Sequence, residues 1–256
     1  MARIVVAFYG AVVYLFFVLV SLYAIGFVGN YLVPKGIDSG TEGALGPALL
    51  VDLLLLALFA LQHSLMARPF FKRWWLKVIP PVLERSTYVL FTSLLLALLF
   101  WQWQPLRGTI WRVEDSLARI TINFIYILGW LIVFSSTFMI NHFDLVGLRQ
   151  VYFNLKGEPY RTLPFTARFL YNFVRHPLML GFIIAFWATP DMTVGHLLFA
   201  VASTGYILIG IQLEERDLLS YHSEEYVQYR RKVSMLLPFF PRARKSTSSV
   251  EKTATR

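Results

Sequence analysis

The strongest constraint on this chain is a series of apolar runs, most of them long enough to cross a lipid bilayer. A helix rises about 1.5 Å per residue, so roughly 20 apolar residues span the hydrocarbon core. The runs cover residues 3–29, 46–67, 86–103, 118–140 and 194–213. Only helices and closed barrels satisfy their backbone groups in lipid. We therefore predict an all-α protein, built as a polytopic membrane helix bundle.

The composition agrees with a membrane protein and excludes several kinds of chemistry. The chain has 256 residues, of which 57% are hydrophobic, more than a soluble domain usually carries. It contains no cysteine, which excludes disulfides, thiolate metal ligands and a cysteine nucleophile. The formal net charge is +9, with basic residues beside the apolar runs, a pattern that favours anionic lipid over nucleic acid. The five histidines include no pair at one-turn spacing, so no metal site is predicted.

The basic residues also predict how the chain is threaded through the membrane. Cytoplasmic loops are enriched in Lys and Arg, which assigns loop 68–85, segment 141–177 and the C-terminal tail to the cytoplasm. Between residue 177 and the tail, the chain must then cross an even number of times. Runs 178–189 and 194–213 fit a helix hairpin whose first arm is too short to cross as a straight helix. Both termini are therefore expected in the cytoplasm.

Three regions follow from this layout. Residues 1–140 are predicted to form a four-helix transmembrane region. Residues 141–241 supply a cytoplasmic loop, the membrane hairpin and a tail helix. Residues 242–256 are rich in Ser, Thr, Lys and Arg, a composition typical of a disordered basic tail.

The most informative polar motif is Arg175-His176-Pro177, answered after an apolar run by Glu214-Glu215. Pro177 suits the first position of a helix, and Gly181 lies on the same helix face, where it permits close approach. A helix N-terminus beside a cation and an imidazole is a good seat for a carboxylate. The residues alone also fit a basic surface loop followed by a solvated acidic helix start.

Three side chains are candidates for moving a proton. His63 ends the second apolar run, where an ionisable group suggests function, although it could also only interact with the helix dipole. His142 follows the fourth run, and Tyr88 lies one turn into the third, where it could equally be an interface residue. We predict His63, His142 and Tyr88 as catalytic residues. His196 and Asp52 belong to the other side of the membrane, where structural roles are expected.

Residues 171–238 resemble the isoprenylcysteine carboxyl methyltransferase superfamily of integral-membrane, S-adenosylmethionine-dependent enzymes. The resemblance depends on Arg175-His176-Pro177, Gly181, Trp187, Pro190, Glu214-Glu215, Leu218, Tyr226, Tyr229, Val233 and Pro238. In the front half, Gln62-His63-Ser64 and the polar stretch 141–150 are similar to the bacterial branch grouped with NnrU-type membrane proteins. Within that branch, the chain most resembles enzymes that methylate methanethiol to dimethyl sulfide.

The resemblance implies S-adenosylmethionine as cofactor and a set of residues around it. The expected cofactor contacts are Gln150, Leu163, Pro164, Phe165, Tyr171, Arg175, His176, Pro177, Leu178, Met179, Gly181, Glu214 and Glu215. Prenylcysteine-type members carry an arginine one turn before the glutamate that matches Glu214, and this chain has Gly210 there. The substitution removes the counter-ion of a prenylcysteine carboxylate and disfavours that acceptor.

The predicted function is methyl transfer to a small thiol at the cytoplasmic boundary of a bacterial inner membrane. The expected partners are the thiol and the lipid bilayer, with no nucleic acid. Methylation of a lipid or of another thiol also fits the sequence. So does a non-catalytic NnrU-type membrane protein that binds haem or lipid or transports a solute.

Overall fold

The computed structural model describes residues 2–163, 167–221 and 223–238. Candidate residues Pro164 and Phe165, and the predicted disordered tail 242–256, lie outside this part of the chain. The described helices are Ala2–Gly29 (α1), Leu45–Ala67 (α2), Pro69–Trp75 (α3), Glu84–Gln102 (α4), Ser116–Ile140 (α5), His142–Leu145 (α6), Leu148–Lys156 (α7), Pro177–Trp187 (α8), Val194–Tyr221 (α9) and Ser223–Lys232 (α10). The prediction of an all-α polytopic bundle is confirmed.

Five helical segments of the described chain are long and apolar enough to cross a membrane. They are α1, α2, α5, α9 and the segment that joins α4 to the 3-10 turn Pro81–Leu83. Their positions agree with the apolar runs because the hydrocarbon thickness fixes the length that such runs must have. Helix α8 has 11 residues and is the predicted short arm of the hairpin.

Local sequence explains where several helices begin and end. Pro69 and Pro177 occupy the first turns of α3 and α8, where a missing N–H has no cost. Asp115 caps α5 by accepting a hydrogen bond of 2.7 Å from the Ala118 N–H. Gly157 ends α7 in the left-handed region at φ +77°, which glycine adopts without strain.

The last apolar run, 194–213, and the polar segment after it form one continuous helix. Helix α9 continues to Tyr221, so Glu214 and Glu215 lie inside a helix. The apolar run does end near 213, but polarity alone does not stop a helix. Residues 211–237 contain neither Gly nor Pro, and Glu and Arg are good helix formers.

Helix α8 packs closely against the middle of α5 through a pair of glycines. A Cβ on Gly181 would come within 2.7 Å of the Gly129 carbonyl oxygen, and a Cβ on Gly129 within 2.8 Å of the Ala185 nitrogen. Small residues at both positions let the two backbones meet, as in other membrane helix pairs. This crossing fixes the depth at which α8 begins.

Two short antiparallel strands, Thr109–Arg112 (β1) and Asp191–Thr193 (β2), close one end of the bundle. Thr109 pairs with Thr193 and Arg112 pairs with Asp191. The sequence did not predict these strands, because segments of four and three residues are too short for alternation to stand out. This end, with loop 30–44, is called the strand end below.

The opposite end is called the site end. There, Arg68 forms an ion pair with Asp217 across α2 and α9 at 3.1 Å, and Lys72 forms one with Glu84 at 3.7 Å. The N-terminus of α8 and the C-terminal half of α9 meet at this end, so the Arg-His-Pro motif and the glutamate pair come together.

Candidate active site

The centre of the site end is a buried cluster around the Glu215 carboxylate. Arg175 donates from Nε to Glu215 Oε1 at 2.7 Å, and Arg230 on α10 lies with its Nε 3.2 Å from Oε2. His176 Nε2 lies 3.2 Å from Oε1. Arg175, His176 and Glu215 are each about 5% exposed. The carboxylate-binding position that was predicted at the start of α8 is thus occupied by Glu215 of the chain itself.

Glu214 has different surroundings from its neighbour Glu215. Its Oε2 lies 3.6 Å from His176 Nδ1, and its side chain is 50% exposed, against 8% for Glu215. Arg175 and Arg230 both form ion pairs with Glu215, so neither neutralises Glu214 directly. Glu214 therefore adjoins the buried cluster but stays accessible. A carboxylate in this position can accept hydrogen bonds from a ligand and attract positive charge.

The segment that follows α10 holds the Arg-His-Pro motif in place. The Arg175 N–H donates to the Ser234 carbonyl at 2.8 Å, and the His176 N–H donates to the Met235 carbonyl at 3.2 Å. The Arg175 side chain also donates from Nη1 to the Val233 carbonyl at 2.6 Å. These bonds fix the backbone and the guanidinium at once, so residues 233–235 determine where His176 stands.

Three tyrosines surround the glutamate pair and stay protonated at neutral pH. Burial and the nearby Glu214 carboxylate raise the pKa of Tyr171, and burial and Glu215 raise that of Tyr226. Burial raises the pKa of Tyr229 to about 12. The Tyr229 hydroxyl donates to the Tyr171 carbonyl at 2.6 Å, which ties α10 to the short helical turn that precedes the motif.

A second polar group, around His63, lies between α2, α4 and α9. The Tyr88 hydroxyl is 2.9 Å from both ring nitrogens of His63, and the Thr92 hydroxyl is 3.3 Å from Nδ1. Ser64 donates to the Tyr206 hydroxyl on α9 at 3.2 Å. Two of the three predicted catalytic residues, His63 and Tyr88, are therefore in direct contact.

The inward face of α2 is buried at Asp52 and at Met66 and partly accessible between these two residues. Asp52, Phe59 and His63 follow each other at spacings of seven and four residues and share one face, opposite the exposed Leu61. Asp52 is fully buried and Met66 is 7% exposed, whereas Phe59 and His63 keep accessible surface. We infer that an opening between α2 and α9 lies beside these two residues.

Helix α9 borders the same opening. Tyr206, Gly210 and Glu214 are spaced four residues apart and follow one side of the helix over about 12 Å. At Gly210, no atom of a described neighbouring element lies within 4 Å of the position that a Cβ would take. We infer that the opening extends along α9 past this unfilled position, toward the half-exposed Glu214.

The remaining predicted site residues have other surroundings. His142 is hydrogen-bonded to the Tyr14 hydroxyl through Nε2 at 3.1 Å and to the Thr137 hydroxyl through Nδ1 at 2.9 Å. Burial lowers the pKa of His142. Gln150 lies 3.4 Å from the Asp144 carbonyl oxygen. Gly181 faces α5, so the space beside it is filled by a helix. Leu163 is 39% exposed at the edge of the described chain. The catalytic role of His142 and the cofactor roles of Gln150, Leu163 and Gly181 stay predictions.

Sequence reasoning missed several residues that the structure brings to these groups. Arg230 reaches Glu215, and Phe59 and Tyr206 lie beside His63. Phe59 stands one turn before His63 and Tyr206 two turns before Glu214, so helical spacing from the predicted residues was an available signal. Within the described parts of the chain, no group of three His, Asp or Glu side chains could hold a metal ion.

A family model described as "NnrU protein" matches residues 51–214, a stretch that includes His63 and His176 and ends at Glu214. The chain belongs to the NnrU family. This confirms the resemblance to the NnrU-type branch that the sequence suggested.

Named relatives of this NnrU-family chain cover most of its length. Methanethiol S-methyltransferase of Mycobacterium tuberculosis is 53% identical over 93% of the chain and 98% of that protein. Methanethiol S-methyltransferase 2 of Bradyrhizobium diazoefficiens is 54% identical over 93% of the chain and 91% of that protein. Nurim of Rattus norvegicus is 32% identical over 72% of each. No solved structure matches at a significant level.

Proposed function

We propose that this protein is a membrane methyltransferase that methylates methanethiol with S-adenosylmethionine and forms dimethyl sulfide. The observation that carries the proposal is the relationship, at 53% identity over nearly the whole of both chains, to a protein named methanethiol S-methyltransferase. The opening between His63 and Glu214 supports it, because one end carries groups that can hold a cationic cofactor and the other a group that can accept a proton.

The residues at the site end fit S-adenosylmethionine. Glu214 is a half-exposed carboxylate that can accept hydrogen bonds from hydroxyl or ammonium groups and attract the positive sulfonium. Tyr171 adds a protonated hydroxyl close to Glu214. His176, with Pro177, Leu178 and Met179 in the first turn of α8, is proposed to form the adjoining wall. Once bound there, the cofactor supplies an electrophilic methyl carbon, so that the acceptor sulfur gains the methyl group and S-adenosylhomocysteine leaves.

His63 is the proposed general base. A thiol reacts as its thiolate, so a proton must leave the acceptor sulfur. Thr92 can accept from Nδ1–H, which leaves Nε2 unprotonated to take the proton, directly or through the Tyr88 hydroxyl that lies 2.9 Å from it. The proton taken up by His63 then returns to solvent. The surrounding aromatic rings exclude water and favour neutral products over separated charges.

The site end and both termini are proposed to face the cytoplasm. The charged cofactor is cytosolic, whereas a small apolar thiol can arrive through lipid, and an opening at this boundary admits both. Loop 68–85 carries Arg68, Lys72, Arg73, Lys77 and Arg85, which favours the cytoplasmic side. Reporter fusions at Lys77 and at the C-terminus should both give cytoplasmic signals, and a periplasmic C-terminus would contradict the proposed threading.

Two measurements on the purified protein test the proposed function. Addition of S-adenosylhomocysteine should raise the thermal unfolding temperature, because a ligand that binds the native state stabilises it. Supplying S-adenosylmethionine and methanethiol should release dimethyl sulfide into the headspace. The absence of both effects would refute the proposal. A thermal shift without methylation of any thiol in a panel would leave a methyltransferase with a different acceptor, such as a lipid.

A further inference from the structure

The imidazole of His63 is enclosed by aromatic rings on several sides. The Phe59 ring stacks on it with a centroid distance of 5.4 Å and an interplanar angle of 19°. Tyr88 lies at 5.1 Å, and Tyr206 approaches edge-on at 6.4 Å and 77°. The rings of Phe59 and Tyr206 also meet each other, at 6.1 Å. A molecule that reaches His63 therefore has little width available to it.

These rings come from three different helices, which fixes the width of the space. Phe59 and His63 are one turn apart on α2, Tyr88 is on α4 and Tyr206 is on α9. The Ser64–Tyr206 and Tyr88–His63 hydrogen bonds connect the helices at this level. The open direction leads along α9 past Gly210, toward Glu214.

We propose that Phe59 and Tyr206 form a size filter that limits the methyl acceptor to thiols with one or two carbons. This inference rests on the proposed function, because it assumes that the acceptor sulfur meets His63. A polarizable sulfur packs favourably about 5 Å from aromatic rings, which suits a small thiol at this place. A longer alkyl chain must displace either the Phe59 or the Tyr206 ring. Both are positioning residues, since the proton is taken by His63.

The test measures kcat/KM for methanethiol, ethanethiol, propanethiol and butanethiol with S-adenosylmethionine. One additional methylene in a tight pocket changes kcat/KM by about 10- to 200-fold. The parent protein should therefore lose at least tenfold per carbon beyond ethanethiol. Phe59→Ala and Tyr206→Ala should each raise the butanethiol-to-methanethiol ratio at least tenfold. Tyr206→Phe keeps the ring and should keep the parent ratio.

Phe124→Ala is the matched control, because Phe124 is 68% exposed on the outer face of α5. It should leave both the methanethiol activity and the ratio unchanged. The ratio does not depend on the fraction of folded protein, and Phe59→Leu provides a milder truncation if Phe59→Ala accumulates poorly. An unchanged ratio in the Phe59 and Tyr206 truncations would overturn the size filter. A parent that methylates none of the thiols would contradict the proposed function itself, and the filter with it.

Discussion

The two ends of the bundle handle their polar groups in opposite ways. At the strand end, two buried polar side chains bond to backbone groups: Asp52 Oδ1 accepts from the Gln104 N–H at 2.8 Å, and His196 Nε2 lies 2.9 Å from the Phe186 carbonyl oxygen. At the site end, Glu214 and His63 border an opening. Matched polar groups stabilise a fold, whereas groups that face an opening remain available to a ligand.

The packing of aromatic side chains also differs between the two ends. At the strand end, the rings of Phe27, Trp103 and Phe199 pack together, with Phe27 and Trp103 fully buried. At the site end, the aromatic rings around His63 keep accessible surface. Filled space gives stability at one end, and open space permits binding at the other. Substitutions should therefore separate the two ends, with loss of activity at one and loss of stability at the other.

The largest expected effect comes from removing the proposed base. His63→Ala should lower turnover about 10²- to 10⁴-fold, the usual contribution of a general base, with cofactor binding nearly intact. The loss should shrink at alkaline pH, where solution supplies more thiolate. Turnover of both proteins from neutral to alkaline pH measures this.

A histidine at the strand end provides the control for this experiment. His196→Ala should lower the thermal unfolding temperature and leave turnover unchanged, since His196 is 2% exposed and packed away from the opening. A constant ratio of His63→Ala to parent turnover over the pH range would remove His63 from the base role, and His142 would become the next candidate.

The next effect concerns the buried ion cluster. Glu215→Ala leaves the guanidinium of Arg175 buried without its carboxylate, which should destabilise the protein by about 3–5 kcal/mol. Thermal unfolding in detergent measures the change. Glu42→Ala at the strand end is the matched control, because Glu42 is exposed and accepts one hydrogen bond from the Arg107 N–H at 3.1 Å. Equal losses in the two variants would mean that the buried cluster does not hold the site end together.

A smaller effect is expected at the adjacent carboxylate. Glu214→Ala should weaken binding of S-adenosylhomocysteine about ten- to a hundredfold, because one hydrogen bond to a charged group contributes about 1.5–3 kcal/mol. Unlike Glu215→Ala, it should leave the unfolding temperature of the ligand-free protein nearly unchanged, since Glu214 is half-exposed. Titration calorimetry separates the two glutamates. Unchanged affinity would place the cofactor elsewhere.

The smallest effect belongs to the strand end. Asp191 forms ion pairs with Arg119 at 2.7 Å and with Arg112 at 3.3 Å, and the Arg119 guanidinium lowers its pKa. These side chains are more than a third exposed, so Asp191→Asn should lower stability by only about 0.2–1 kcal/mol. A lowered carboxyl pKa contributes its full stability above the ordinary value of about 3.9, and the contribution is lost as the pH falls from there through the lowered pKa of the folded state.

This prediction is checked by comparing unfolding temperatures at two pH values. The difference between parent and Asp191→Asn should be present at pH 7 and shrink as the pH falls toward 3. A difference that persists in acid would show that Asp191 acts through packing or neutral hydrogen bonds. In neither case should methyl transfer change.

The membrane spans were predictable from the sequence because bilayer thickness imposes a length that composition reveals directly. The association of His176 with the glutamate pair was implied by the resemblance to the methyltransferase superfamily, whereas the spacing of the residues alone left it open. It was less predictable that Glu215 would pair with Arg175 and His176, so that only Glu214 remains accessible to a ligand. That division depends on Arg230, which reaches the cluster from α10, fifteen residues after Glu215.

The aromatic enclosure of His63 was not predicted at all. Phe59 and Tyr206 look like ordinary residues of apolar helices, and their relation to His63 depends on how α2 and α9 rotate about their axes. Apolar runs fix the length of a helix in lipid and leave its rotation to packing against its neighbours. The close Gly129–Gly181 crossing was likewise hidden, since a glycine in a sequence does not show which helix it will face.

The shortness of α8 would make the membrane itself a reservoir for the proposed reaction. Gly181 meets the middle of α5, so His176, which directly precedes α8, lies several ångströms below the end of α5. An acceptor dissolved in the bilayer reaches that depth without entering water. The rate should then follow the thiol concentration in the lipid phase. At a fixed total amount of a poorly water-soluble thiol, adding empty vesicles would dilute the substrate and slow the enzyme.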